Sequence, residues 1–234
     1  MKKIIAITGP SASSQSIYDL IEHLGFNYIF VNHNDQKNLE EIAKQASALI
    51  LAGGVDLFLP YYGHELRGGF NMDSFDPKRD VREGILFNLF RDSGKFIWGI
   101  CRGAQKIGME LGLSDNFVYD LGFSDVSHAP GREGMKLDKD ICDYAHLIHF
   151  YDGRPSVWEN SLHHQCFSVD KALIQSRPDI NFIAYANTAP KKINVLEWFE
   201  SDGLMAQQFH VENNYKYCAL SQEIIQKFVE SVND

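Results

Sequence analysis

Cysteine is scarce in this 234-residue chain: Cys101, Cys142, Cys166 and Cys218 stand at no paired spacing. That excludes a disulfide-stapled scaffold and points to a reducing, cytoplasmic setting. The basic start Met1-Lys2-Lys3 leads into an apolar run that Gly9-Pro10 cuts too early for a signal peptide, so Ile4 to Thr8 reads as a first strand. Positive charge is also short. Lys and Arg number 22 against 31 Asp and Glu, a net charge of −9, which is the wrong sign for gripping nucleic-acid phosphates unaided. The 16 Phe and 10 Tyr have no interleaved Lys or Arg, so base stacking is not expected either. No apolar stretch approaches the roughly 18 residues of a membrane span. Repeats, low-complexity tracts and Gly/Ser linkers are absent, so residues 1–234 are expected to form a single domain. What remains is ordinary globular composition, 44% hydrophobic and 23% charged. A chain this long buries roughly 70–75% of its unfolded surface and needs no disulfide or metal to hold a core.

The first half alternates strand-like and helix-like segments. Strands are expected at Ile4 to Thr8, Tyr28 to Val31, Ala48 to Leu51 and Phe96 to Ile100. Between them, Ile17, Leu20, Ile21 and Leu24, then Leu39, Ile42, Ala43 and Ala46, then Val81, Ile85, Leu86, Leu89 and Phe90 recur at helical spacing. Continuous apolar strands separated by amphipathic helices predict a mostly parallel central sheet with helices on both faces. Residues 113–160 read as irregular. Phe182 to Asn187 and Ile193 to Phe199 predict an antiparallel pair, followed by a strand over Leu204 to Phe209. Leu220, Ile224, Ile225, Phe228 and Val229 predict a closing helix. The fold class is therefore α/β with an antiparallel C-terminal addition.

The stretch Gly99-Ile100-Cys101-Arg102-Gly103-Ala104-Gln105 follows an apolar strand and precedes a helical pattern. It is a Gly-x-nucleophile-x-Gly bend with Cys in the nucleophile position. Side chains in place of the two glycines would clash in so tight a turn. The bend exposes the sulfur at the carboxyl edge of the sheet, and the following helix dipole favours the thiolate. The Arg102 N–H is then placed as half of an oxyanion hole. The bland alternative is that Cys101 is a small buried hydrophobe. A Cys nucleophile needs a base, and the base needs an orienter. His210 ends an apolar run, and Glu212 follows two residues later. On an extended segment these point the same way.

Other candidates weigh less. Cys142, His146 and His149, with His128, His163 and His164 as further donors, do not follow a standard zinc spacing. No metal and no cofactor are expected. Gly53-Gly54 is not followed by Gly-x-x-x-x-Gly-Lys, which excludes a P-loop. Trp98 is expected in the core.

Together these residues resemble the class I glutamine amidotransferase superfamily, and within it the γ-glutamyl hydrolase branch, peptidase C26, to which γ-glutamyl-γ-aminobutyrate hydrolase belongs. Four blocks carry the likeness: Leu49 to Asp56 with Pro60-Tyr61-Tyr62-Gly63; Asp76-Pro77-Lys78-Arg79-Asp80; Gly99 to Gln105; and Asn160-Ser161-Leu162-His163-His164-Gln165 with Gln208-Phe209-His210-Val211-Glu212. The resemblance implies a flavodoxin-like α/β fold and hydrolysis of a small γ-glutamyl conjugate through a γ-glutamyl thioester. It implies Cys101 as nucleophile, His210 as base and Glu212 as its orienter. Gly54 and Arg102 would supply the oxyanion N–H groups. Gln105, His164, Gln165 and Cys166 would line the glutamyl pocket. The implied partner is a small-molecule substrate, with neither nucleic acid nor membrane; a homo-oligomer is compatible with it. The rival readings are an ammonia-donating glutaminase subunit of an amidotransferase and an inactive binding module. Asn160 to Gln165 favours the hydrolase. Three positions depart from the family pattern: Val211 replaces Pro, Cys166 replaces Gly, and Leu113 to Asp120 keeps only Asp120 of the usual segment. The side chain of Cys166 would narrow the pocket or, at positive φ, store strain.

Overall fold

Five strands run parallel in the order β2 (Asn27–Val31), β1 (Ile4–Thr8), β3 (Ala48–Leu51), β4 (Phe96–Ile100) and β11 (Leu204–Gln207). Beyond β11 the same sheet continues antiparallel through β10 (Asn194–Ser201), β9 (Asn181–Asn187), β6 (Ala145–Phe150) and β7 (Val157–Asn160), nine strands in all. A short antiparallel pair, β5 (Phe117–Val118) and β8 (Cys166–Phe167), lies apart from it. The computed structural model describes residues 2–9, 14–32, 38–65, 75–119, 145–187 and 193–233. Cys142, His128, Asp120 and the connection 188–192 lie outside the described residues. No helix among the described residues is long and apolar enough to cross a membrane.

The strand interiors read as unbroken apolar runs because both faces of the sheet are covered. Side chains alternate between the faces. Ile5, Ile7, Ile50, Trp98 and Ile100 pack with Ile17, Leu20 and Ile21 of α1 (Gln15–His23) and with Leu220, Ile224 and Phe228 of α7 (Ala219–Asn233). Ala6, Leu49, Leu51 and Ile97 face the other way. They meet α2 (Leu39–Gln45), α3 (Pro77–Asp92) and α4 (Arg102–Glu110) through Ile42, Leu86, Phe90 and Ile107. Each large apolar side chain so buried contributes roughly 1.5–3 kcal/mol. Local chemistry sets the helix starts. The Asn38 side chain accepts from the Glu40 N–H at 3.0 Å, and Asp76 accepts from the Arg79 N–H at 3.1 Å ahead of Pro77. The remaining helices are α5 (Lys171–Ser176) and α6 (Val211–Asn214).

Three expectations need correction. Within 113–160, residues 145–150 and 157–160 are strands, not irregular chain. Local pattern does not reveal them, because His, Asp, Gly and Pro are scattered through the segment; β6 and β7 pair with each other, and β6 also pairs with β9. The expected stripe of α3 holds at Leu86 and Phe90 but not at its start: Val81 and Ile85 are 44% and 46% exposed, while Arg79, Asp80 and Glu83 are buried. Finally, β11 stops at Gln207, and His210 caps α6 instead of continuing a strand.

Candidate active site

The carboxyl ends of β3, β4 and β11 bring three separate segments together. Cys101 stands between β4 and α4 at φ +54°, the only residue other than glycine with positive φ among the described residues. Close packing explains why the bend needs its glycines. A Cβ on Gly103 would lie 1.8 Å from the Leu51 carbonyl oxygen, and one on Gly99 would lie 2.5 Å from the Gly103 oxygen. The Cys101 N–H donates to the Gln207 carbonyl at 2.8 Å, which stitches the bend to the strand leading to His210. Cys101 also caps α4, so the positive end of that helix adjoins the sulfur.

The His210 ring sits between two partners. Its Nδ1 lies 2.6 Å from Glu212 Oε1, and the ring also interacts with the Cys101 side chain. The contact forms although His210 and Glu212 are not on an extended segment: Glu212 lies in the first turn of α6 and folds back on the residue that caps it. Burial opposes charge on the imidazole. The Glu212 carboxylate and the Cys101 sulfur outweigh it and hold the His210 pKa well above its ordinary value. A backbone device fixes the ring's origin. Asn160 Oδ1 accepts from the His210 N–H at 2.8 Å, and Asn160 Nδ2 donates to the His210 carbonyl at 2.8 Å. Behind it, buried Glu159 accepts from Asn214 Nδ2 at 2.6 Å, Cys218 Sγ at 2.7 Å and Ser221 Oγ at 3.1 Å. Burial and this carboxylate push the Cys218 thiol up to about 11.

Gly53 completes the wall. A Cβ there would lie 3.0 Å from His210 Cε1 and 3.6 Å from Cys101 Cβ, so any side chain would press on the ring. Gly54 follows at φ +142° and is exposed. Beneath this loop lies a buried cluster of charge. Arg102 is ion-paired with both Asp80 and Glu83, and Arg79 Nε donates to Glu83 Oε1 at 2.7 Å. Glu83 also accepts from Thr8 Oγ1 at 2.5 Å, and the Phe58 N–H donates to Asp80 Oδ2 at 2.7 Å. Burial works against ionisation of Glu83, but the two guanidinium groups dominate and bring it down to about 2. Asp80 is pushed up by burial. This pairing is why the polar face of α3 turns inward.

The expected pocket residues are placed unequally. Gln105 Nε2 donates to the Gln165 carbonyl at 2.9 Å and to Gln208 Oε1 at 3.3 Å. Both side-chain amide atoms of buried Gln165, and Nε2 of buried Gln208, have no hydrogen-bond partner among the described residues. His164 Nε2 lies 2.9 Å from Asp56 Oδ1, linking its segment to the loop after β3. Cys166 is fully buried in β8 beside Val195. Its φ is not positive, so the strain considered above does not arise.

The histidine-rich grouping is redrawn. His149 Nδ1 lies 2.9 Å from Ser156 Oγ, whereas His146 joins His163 and Glu197. The Nε2 atoms of His146 and His163 lie 3.5 and 3.4 Å from the two oxygens of Glu197, and the ligand atoms of all three residues fall within 4.8 Å of one another. Three donors at this spacing could hold a divalent ion. His163 Nδ1 donates to the Gln165 carbonyl at 3.0 Å, so the cluster braces the 163–165 segment. Burial raises the cost of charge on Glu197, yet the two imidazoles hold its carboxyl below the usual range.

Sequence reasoning missed Glu83, Asn160 as the clamp on His210, and Glu197. Arg79 and Glu83 stand four apart on a helix, which reads as a surface pair. Asn160 stands out only as the start of the Asn160 to Gln165 block, with no sign of its contact to His210, and Glu197 carries no local signal.

Comparison with known proteins identifies the family. The chain is 28% identical over 155 residues to a glutamine amidotransferase-like protein, the YvdE homologue of Lactococcus lactis subsp. cremoris, covering 66% of this chain and 81% of that one. Its fold is similar to that of a GMP synthase component from Thermoplasma acidophilum at TM-score 0.59 and 18% identity, covering 100% and 95% of the two chains. It is also similar to the glutaminase domain of Trypanosoma brucei CTPS at TM-score 0.54 and 16% identity, covering 90% and 86%. The peptidase C26 family model matches residues 6–212, a span that takes in the bend at Cys101, the loop at Gly53 and the turn at His210. The chain therefore belongs to the peptidase C26 family, as a glutamine amidotransferase-type hydrolase.

Proposed function

We propose that this protein hydrolyses the γ-glutamyl amide bond of a small γ-glutamyl conjugate, with Cys101 as nucleophile. The observation that carries this reading is the His210 ring held between Cys101 and Glu212. An imidazole so placed can take the thiol proton on one side while a carboxylate stabilises the resulting imidazolium on the other.

The proposed steps are those of acyl transfer through a covalent intermediate. Cys101 Sγ bonds to the γ-carbonyl carbon as His210 takes its proton. The carbonyl oxygen becomes an oxyanion facing the N–H groups of Gly54 and Arg102. The C–N bond then breaks, and His210 gives its proton to the leaving nitrogen. Water attacks the thioester with His210 as base, the S–C bond breaks, the proton returns to sulfur, and glutamate leaves. Gln105 would brace the glutamyl pocket, with His164 and Gln165 forming its wall, while Cys166 would act only from behind it. The unpartnered amide of Gln165 supports that role, because buried polar groups without partners are rare and the α-amino and α-carboxylate groups of a glutamyl unit would satisfy them.

The test is glutamate release from a panel of γ-glutamyl amines, γ-glutamyl amino acids and glutamine, with no added protein. Conjugates are expected to be cleaved faster than glutamine. Turnover of glutamine alone would favour the ammonia-donating reading, and turnover of nothing in the panel would sink the proposal.

Glu212→Gln probes the orienter. Losing the carboxylate removes the charge that raises His210, so the alkaline limb of the pH–rate profile is expected to move to lower pH. The sign follows because the imidazolium, the form that protonates the leaving group, then persists over a narrower range. A drop in kcat of roughly 10²–10⁴-fold is expected, the scale of general acid–base catalysis. An unmoved limb would remove Glu212 from the role.

A further inference from the structure

We infer that Arg79 is the positioning residue of the oxyanion site, aiming the Gly53 and Gly54 N–H groups by holding the two carbonyls behind them; this rests on the acyl-transfer reading above. Arg79 is 2% exposed on α3. Its Nη2 donates to the Ala52 carbonyl at 2.6 Å and its Nη1 to the Gly53 carbonyl at 3.0 Å. Its Nε is anchored on Glu83.

In an extended strand successive carbonyls point to opposite sides. One planar guanidinium fork can reach both only where they point the same way. Each peptide unit is planar and trans, so its N–H lies opposite its C=O. The N–H of Gly53 shares a peptide with the Ala52 carbonyl, and the N–H of Gly54 shares one with the Gly53 carbonyl. Both donors therefore face away from Arg79, side by side. Consecutive N–H groups on one side make a concave anion site. Gly53 borders Cys101 and His210, where the oxyanion forms, and Gly54 at φ +142° is open to solvent. Glu83 neutralises the buried cation and sets its angle, and Thr8 and Arg102 in turn hold Glu83. A lysine could supply the charge but not the fork.

Two reactions of Cys101 separate aiming from mere scaffolding. Acylation by p-nitrophenyl acetate forms an S–C bond, passes through a tetrahedral oxyanion and expels p-nitrophenolate. Alkylation by iodoacetamide displaces iodide at a saturated carbon and forms no oxyanion. In Arg79→Lys and Arg79→Ala, acylation is expected to fall roughly 10²–10³-fold, the loss typical of one oxyanion donor, while alkylation changes little. Millimolar guanidinium is expected to restore part of the acylation rate in Arg79→Ala. A parallel fall of both reactions, or a fall in neither, would overturn the assignment. If the single variants do not fold, Arg79→Met with Glu83→Gln removes both charges and is read in the same two assays; failure of that variant to fold would make Arg79 a structural residue and overturn the inference. Neither probe carries a glutamyl group. Failure of every γ-glutamyl conjugate would therefore count against the proposed substrate, whereas a wild-type protein that alkylates but does not acylate would count against the oxyanion site.

Discussion

Replacing Cys101 with alanine or serine is expected to end turnover while the protein still unfolds in one transition near the wild-type temperature. Removing the nucleophile of an acyl-transfer site lowers kcat by roughly 10⁶-fold in the best-studied case, because base and orienter then have nothing to activate. The fold should tolerate the change. Cys101 is 7% exposed, alanine is smaller, and the strained φ of +54° is retained by either replacement. Glutamate release and thermal unfolding together decide it; a variant that keeps a tenth of the wild-type rate would refute the role. A glutamine-like electrophile offers a second reading by mass spectrometry. It should mark Cys101, next to the imidazole, and spare Cys166, fully buried in β8, and Cys218, whose thiol is pushed up to about 11.

Gly103→Ala is expected to produce the largest loss of stability. The added Cβ would stand 1.8 Å from the Leu51 carbonyl oxygen, 2.5 Å from its carbon and 2.9 Å from Leu51 Cβ. The obstacle is the backbone of β3, a central strand, so no rotamer change relieves it. Either α4 retreats from the sheet, taking Cys101 with it, or the chain does not fold. Ordinary overpacking costs about 1–3 kcal/mol; a methyl driven into backbone belongs beyond about 4 kcal/mol. In a protein this size that is a fall in Tm of roughly 8–16 °C. Gly25→Ala sets the comparison. Gly25 sits at φ +81° with nothing within 4 Å of a new Cβ, so only the left-handed penalty of about 1–2 kcal/mol applies. Equal melting temperatures for the two variants would show that α4 and β3 are not packed as described.

The bend at Cys101 was legible in the sequence because its requirements are local: an apolar strand, a cysteine between two glycines, then a helical pattern. The four parallel strands of the first half were legible for a related reason. β1, β3 and β4 are buried on both faces and so are short unbroken apolar runs, and β2, half-buried at the sheet edge, is apolar from Tyr28 to Val31. The pairing of His210 with Glu212 was also readable, although for the wrong geometry, since a capped turn and an extended strand can both bring positions i and i+2 together. Periodicity succeeded only in part on α3. Leu86 and Phe90 are buried as expected, but Val81 and Ile85 face outward and the first turns bury Arg79, Asp80 and Glu83 instead. Hydrophobicity identifies the inward face only when the interior is apolar, and here the interior holds Arg102.

The amino-acid order alone determined the α/β alternation, the strand extents near the site and the place of the bend at Cys101, because burial patterns and glycine sterics act within a few residues. Tertiary structure alone decided which carboxylates offset Arg102, that Asn160 clamps the backbone of His210, that Glu197 joins His146 to His163, and that Arg79 reaches the carbonyls of Ala52 and Gly53. Those contacts join residues far apart along the chain. A charged side chain bears no local mark of whether its partner will be water or a buried ion.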